Sequence, residues 1–192
     1  MIRAIFFDFY GVWLPDKFLP LLQRLQQENP ELVPEVGKKL DQYYVGRVYM
    51  EGLIFSLNFN LGMGNLRTED FIFQPQAISP AVIDLMHGLH GHFVKIGVLA
   101  NLGKAEFEAL AAINQQFQLF EVITGPIATG ASLLSETTFV SAYQAIGEPP
   151  ETCLMVSSNA LYLDFAKQCG SQTLPYSNMN ILGQDLAERL QQ

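Results

Sequence analysis

The sequence predicts an α/β fold, a doubly wound parallel sheet carrying a small helical cap. Three observations lead there. The segment 2–12 begins as an apolar, β-branched and aromatic run, stops at one carboxylate, Asp8, and turns at Gly11, which reads as a buried strand with its turn. From Ser79 onward, short apolar runs alternate with amphipathic helical patterns, the signature of parallel strands covered on both faces. Between 15 and 78 that alternation is missing and only helical spacing is visible, so this stretch reads as an insertion.

Asp8 sits at the carboxyl end of the first strand, where open α/β sheets collect ligands and catalytic groups. A charge closing an apolar run has to be solvated, paired or used. Taken alone, it reads equally as a surface Asp ending an ordinary strand. After the Trp13-Leu14-Pro15 break, Phe18, Leu21, Leu22 and Leu25 predict a helix over 17–28, stopped by Asn29-Pro30. Val33, Val36, Leu40 and Tyr43/Tyr44 predict a second over 32–45. Gly46 and Gly52 flank a short segment, and a third helix is expected from Ile54 to before Gly62-Met63-Gly64. Thr68 reads as the N-cap of a short turn, and Pro75 as the close of the region.

Ser79-Pro80 is an N-cap followed by proline at the first helical position. Strands are expected at 93–99, 122–124, 153–156 and 172–174, with helices at 104–117, 136–146, 160–169 and 180–190. Gly147 and Gly170 stand where left-handed helix ends are expected. No internal repeat or low-complexity segment is evident.

The chain has 192 residues, enough for one domain with a sizeable core. With 49% hydrophobic and 16% charged residues, a largely disordered chain is excluded. A net charge of −8 repels phosphate backbones, and Lys38-Lys39 is the nearest thing to a basic cluster, so no nucleic-acid partner is expected. No apolar run approaches transmembrane length and the first residues do not resemble a signal peptide, so no membrane partner is expected either. Cys153 and Cys169 have no CxxC neighbour and read as reduced thiols of a cytoplasmic protein. His87 and His90 share a helix face; a two-His metal site is weighed against a solvated helix end, which is favoured. Gly62-Met63-Gly64 reads as a turn rather than a phosphate loop, since no strand clearly precedes it.

Three strand ends line up in this reading: Asp8, Ala100-Asn101, and Ser157-Ser158-Asn159. A nucleophilic carboxylate beside an Asn and two Ser hydroxyls is a candidate site for covalent chemistry. This order of parts resembles the haloacid dehalogenase (HAD) superfamily over essentially the whole chain. The resemblance implies a Rossmannoid core of 1–14 and 79–192 and a helical cap of 15–78, with Asp8 as nucleophile. Phosphatase members carry a second Asp two positions after the nucleophile, where this chain has Tyr10, and acidic magnesium ligands where it has Ser157-Ser158. One carboxylate is a poor magnesium site, so no cofactor is expected and magnesium is disfavoured.

Asp8-Phe9-Tyr10-Gly11 and Val156-Ser157-Ser158-Asn159-Ala160 look like the 2-haloacid dehalogenase branch, whose chemistry attacks carbon and expels halide without metal. The implied site is Asp8, Tyr10, Asn101, Ser157, Ser158 and Asn159. Apart from the resemblance, Arg47 is an isolated cap cation that could bind a substrate carboxylate bidentately, weighed against the default of a surface Arg. Three positions depart from that branch. Ala100 stands where Ser or Thr is usual, Leu133 where a Lys is usual, and Tyr162 where an acid is kept. Without that Lys, an anionic substrate about 4 Å from Asp8 meets repulsion on the order of 4 kcal/mol, roughly three decades in rate or affinity.

Two functions follow from these residues. One is a metal-independent hydrolase with Asp8 as nucleophile, acting on a small organic molecule. The alternative is a catalytically inactive relative that binds a ligand or partner, with magnesium phosphatase activity disfavoured. Tyr43, Tyr44, Tyr49, Phe55 and Phe59 read mostly as cap core, an excess of exposed rings instead marking an apolar pocket or a homodimer face.

Overall fold

A computed structural model describes residues 1–72 and 78–190; the break expected at Pro75 lies outside them. Five strands form one parallel sheet: β1 (Ala4–Asp8), β2 (Lys95–Leu99), β3 (Val122–Thr124), β4 (Cys153–Ser157) and β5 (Gln172–Pro175). Their order is β3-β2-β1-β4-β5. The chain steps outward from β1 through β2 to β3, then crosses back to β4 on the other side of β1. The carboxyl ends of β1 and β4 therefore flank the topological switch point, where such sheets form their crevice.

Alternation along the strands builds two cores. Ile5, Phe7, Ile96, Val98, Leu154 and Val156 pack beneath α4 (Pro80–His90), α5 (Lys104–Phe117) and α9 (Met179–Leu190). Ala4, Phe6, Cys153 and Met155 pack on the opposite face, under α7 (Glu136–Ile146) and α8 (Ala160–Gln168). Between β3 and α7 the chain forms a one-turn helix, α6 (Pro126–Thr129), which the sequence pattern does not reveal. In the cap, α1 (Leu19–Glu28), α2 (Val33–Tyr44) and α3 (Met50–Phe55) bury a third cluster of their own around Phe18, Leu21, Val36, Leu40, Leu53, Leu57 and Phe71.

Several sequence expectations are corrected. The third cap helix starts at Met50, not Ile54, and runs through Gly52. Met50, Leu53, Ile54 and Leu57 give it a buried stripe at helical spacing, which outweighs the roughly 1 kcal/mol helix penalty of one glycine. Thr68 does not cap; it is the first residue of a short 3₁₀ turn held by the Arg67–Asp70 ion pair at 2.8 Å. Of the cap rings, Tyr43 is buried, whereas Tyr49, Phe55 and Phe59 are exposed, the two phenylalanines stacked at 4.7 Å. His90 bonds the Leu119 carbonyl at 3.2 Å and lies 3.5 Å from Glu121, tying α4 to the β3 approach. Among the described residues no group of three or more His, Cys, Asp or Glu side chains is placed to hold a metal ion.

Gly62 and Gly64 both adopt left-handed backbone, which fits a turn. Both cysteines are free thiols, and burial pushes Cys153 up to about 12, leaving it unreactive. No described helix is long and apolar enough to cross a membrane.

The strand expected from Phe93 begins at Lys95, because Phe93 is left-handed (φ 59°) and 96% exposed. A bulky residue is strained there and its ring gains nothing from burial. Phe93→Gly is expected to stabilise the protein by about 0.5–1 kcal/mol in urea denaturation. A loss of stability would show that the ring makes a stabilising contact.

Candidate active site

Asp8 ends β1, and Ser157 ends the adjacent β4 across the switch point. The Ser157 hydroxyl donates to Asp8 Oδ2 at 2.7 Å, while the Asn159 backbone N–H donates to Ser157 Oγ at 3.0 Å. That second bond occupies Ser157 as an acceptor and aims its proton at Asp8. Asp8 is only 3% exposed. Burial carries its carboxyl up to about 8; the Ser157 hydrogen bond offsets part of the rise and the nearby Asp16 charge adds to it.

Gly11 closes the turn that follows Asp8. Its φ is +101°, and a Cβ there would lie 2.1 Å from Ser158 Oγ. The glycine thus lets the Ser157-Ser158 loop approach the nucleophile. Above this floor is a cavity of about 510 Å³, lined by Asp8, Tyr10, Gly11, Asp16, Asn101, Ser158, Asn159 and Tyr162, with Pro15, Leu19, Pro20 and Ala160. Five of the sequence-chosen residues therefore share one cavity, with Ser157 beneath it.

Asn159, Tyr10 and Asn101 each also have a partner within the protein. Asn159 Oδ1 accepts the Leu161 N–H at 2.9 Å and so caps α8. Tyr10 donates its hydroxyl to Glu106 at 3.3 Å, and its own proton is held far above the ordinary phenol range by burial, then by the Glu106 charge. Asn101 donates to the Tyr162 hydroxyl at 2.8 Å. The Asn101–Tyr162 pair borders both this cavity and a neighbouring one of about 370 Å³. Arg47 lines only the second, with Asp41, Tyr44 and Leu133. Arg47, an exposed residue after α2, therefore faces the cavity that adjoins the Asp8 cavity across the Asn101–Tyr162 pair.

The degenerate positions now have physical explanations. Ala100 is fully buried in the apolar cluster beneath α4 and α5, where a hydroxyl would need its own partner. Leu133 is 3% exposed and packs with Leu99, Phe139 and Tyr143, so that position contributes core and no charge.

Sequence reasoning missed Asp16 and Glu106. Asp16 Oδ1 accepts the Phe18 and Leu19 N–H groups at 2.8 and 3.3 Å; an Asp just ahead of a helical pattern was the available signal. Glu106, buried at the start of α5, accepts from Tyr10, from Tyr43 of the cap and from the Gly103 N–H. A Cβ on Gly103 would overlap the Tyr43 ring at 2.2 Å, so glycine lets the cap dock there.

The donor set does not fit the magnesium of the phosphatases. One Asp8 oxygen is taken by Ser157, and Asp16 spends an oxygen on backbone N–H groups. A hard divalent ion needs more ionised oxygen than remains.

No protein-family model and no curated protein matches the chain. Solved structures do. A HAD-like family hydrolase from Porphyromonas gingivalis superposes with a TM-score of 0.71 at 18% identity, covering 100% of this chain and 99% of the other. A HAD family enzyme from Bacteroides thetaiotaomicron, in complex with magnesium and inorganic phosphate, gives 0.66 at 12% identity, with 92% and 95% covered. The L-2-haloacid dehalogenase from Xanthobacter autotrophicus, with chloropropionic acid covalently bound, gives 0.60 at 18% identity, with 91% and 77% covered. The parallel sheet with its helical layers, the switch-point carboxylate and these likenesses together establish that the chain has the HAD-like hydrolase fold.

Proposed function

We propose that the protein is a metal-independent hydrolase in which Asp8 attacks an electrophilic carbon of a small organic molecule. The observation that carries this reading is the buried Asp8, fixed through Oδ2 by Ser157 and lining a cavity large enough for a small substrate. Oδ1 bonds to carbon while the leaving group departs with its electron pair as an anion, giving an Asp8 ester. Water then adds to the ester carbonyl, releasing the alcohol and a proton and restoring Asp8. Asn101 and Asn159 position substrate and water, Ser158 lines their path, and Tyr10 shapes the wall. A leaving group that departs as a stable anion needs no acid, which suits a site whose Tyr10 proton is held by Glu106.

The attacking form is the carboxylate, so turnover should rise with pH through about 8 and level off above it. Ser157→Ala removes the bond that lowers the Asp8 value. Its pH profile should therefore move to higher pH, and its rate at pH 7.5 should fall about tenfold. An unshifted profile would show that Ser157 does not tune Asp8.

Halide release from 2-haloacids and haloalkyl ammonium compounds, beside phosphate release from small esters, tests the reaction class. Halide release that disappears in Asp8→Asn supports it; phosphate release from esters without halide release contradicts it. The second reading, a catalytically inactive binding protein, draws on the protonated Asp8 at neutral pH and on the absence of a Lys or Arg from the described cavity lining. It expects no product from any of these compounds at pH 7–10.

A further inference from the structure

The charges around the Asp8 cavity are one-sided. Asp8 and Asp16 line it, and among the described residues no Lys, Arg or His does. The residues left undescribed, 73–77 and 191–192, contain no cationic side chain either. Arg47 of the cap lines the neighbouring cavity. A carboxylate 3% exposed whose recorded side-chain hydrogen bond is to a neutral hydroxyl is an uncompensated buried charge whenever it ionises. The remaining walls combine Tyr10 and Tyr162, the apolar Leu19, Pro15 and Pro20, and the neutral polar Asn101, Ser158 and Asn159. Carboxylates set beside tyrosines provide the contacts that organic cations use, Coulomb attraction together with attraction to ring faces. The same lining repels carboxylates and phosphates.

We propose that the cavity over Asp8 binds a small organic ammonium ion, held by the Asp8 and Asp16 carboxylates against the Tyr10 and Tyr162 rings. The inference rests on the placement of the reactive cavity over Asp8 and names the ligand class of that site. A cavity of about 510 Å³ accommodates a quaternary ammonium head with a short electrophilic arm. Two carboxylates beside two tyrosine rings suit a bulky, weakly hydrated cation better than a divalent ion, which keeps its water and demands dense oxygen. The ammonium also compensates the charge of the ionised nucleophile, so ligand and nucleophile attract.

The test is isothermal titration of the full chain at pH 8.5 and constant ionic strength with tetramethylammonium, choline, acetate, inorganic phosphate and magnesium in turn. Saturable binding of the two ammonium ions and none of acetate or phosphate is expected. Asp16→Asn should weaken ammonium binding about tenfold. An amide oxygen still caps α1, so the fold is retained, and the thermal unfolding midpoint checks it. Tyr162→Leu should weaken binding severalfold through the lost ring face. Binding of acetate or phosphate as tightly as ammonium, equal ammonium binding in Asp16→Asn, or Asp16-dependent magnesium binding in its place would overturn the proposal. Ammonium binding without turnover would count against the hydrolase reading alone. Asp8-dependent halide release from 2-haloacids without ammonium binding would count against this inference alone.

Discussion

Asp8→Asn is expected to abolish turnover and at the same time make the protein more stable. Loss of the nucleophile should lower kcat by at least about 10³-fold, since an amide oxygen forms no ester that water can reopen on the same timescale. The stability gain follows from proton linkage. The Asp8 value is raised on folding, from 3.8 to about 8. Between those values the folded protein holds a proton that the unfolded chain releases, so stability falls as pH rises from about 4 to about 8 and stays low above. Asparagine keeps the shape without the titration. Moving a carboxyl that far sets a ceiling of about 6 kcal/mol, and water admitted by the adjoining cavity brings the expected gain to about 2–3 kcal/mol at pH 8, with none at pH 4. Urea denaturation of both proteins across pH measures it. A variant equally stable at pH 4 and 8 relative to wild type would show that Asp8 is not desolvated as described.

The second large effect concerns the junction between cap and core. Glu106 starts α5, and its two carboxyl oxygens receive Tyr10 from the loop after the nucleophile and Tyr43 from the cap. Desolvation first, then the Glu106 charge, lifts the Tyr43 proton far above the ordinary phenol range, which fixes it as a donor. Glu106→Ala leaves two buried phenols without this acceptor and opens a void. The expected loss is about 3 kcal/mol in urea denaturation. Trypsin should also cut after Arg47 several times faster, as the turn beside Tyr43 loosens. Tyr43→Phe should cost about 1 kcal/mol and leave Tyr10 in place. A Glu106→Ala loss below about 0.5 kcal/mol would show that the cap is held by its apolar contacts alone.

These two sites show what a single sequence does and does not expose. Strand and helix positions in the core were readable because each depends on local periodicity. The apolar run ending at Asp8, the Ser79-Pro80 cap and the segment 104–117 each fall where the pattern puts them. The strand pattern put the Asp8 and Ser157 ends in one crevice, but not the hydrogen bond between them. Glu106 was not readable, because nothing within a few residues of it signals that Tyr10 and Tyr43, 96 and 63 positions away, will meet it. Arg47 lines the adjoining cavity, and whether a turn residue faces one cavity or the next depends on the docking of α2, which local spacing does not encode. Phe93 and α3 mark smaller conflicts, where a left-handed residue delayed a strand and a buried stripe carried a helix through a glycine.

One similar structure holds magnesium and inorganic phosphate and another a covalently bound chloropropionic acid. In this chain the cavity has two carboxylates and no Lys, Arg or His among its described lining residues. Fold likeness at 12–18% identity does not carry ligand preference from one chain to another.

The most direct measurement is intact-protein mass spectrometry at pH 9 after incubation with 2-haloacids, a haloalkyl trimethylammonium compound and small phosphate esters, with Asp8→Asn in parallel. The account predicts a mass increase equal to the transferred alkyl group on wild type. It should be largest for the ammonium electrophile, located by peptide mapping to Asp8, and absent from Asp8→Asn. Unmodified wild type with no product in solution, or the same adduct on both proteins, would contradict Asp8 as the nucleophile.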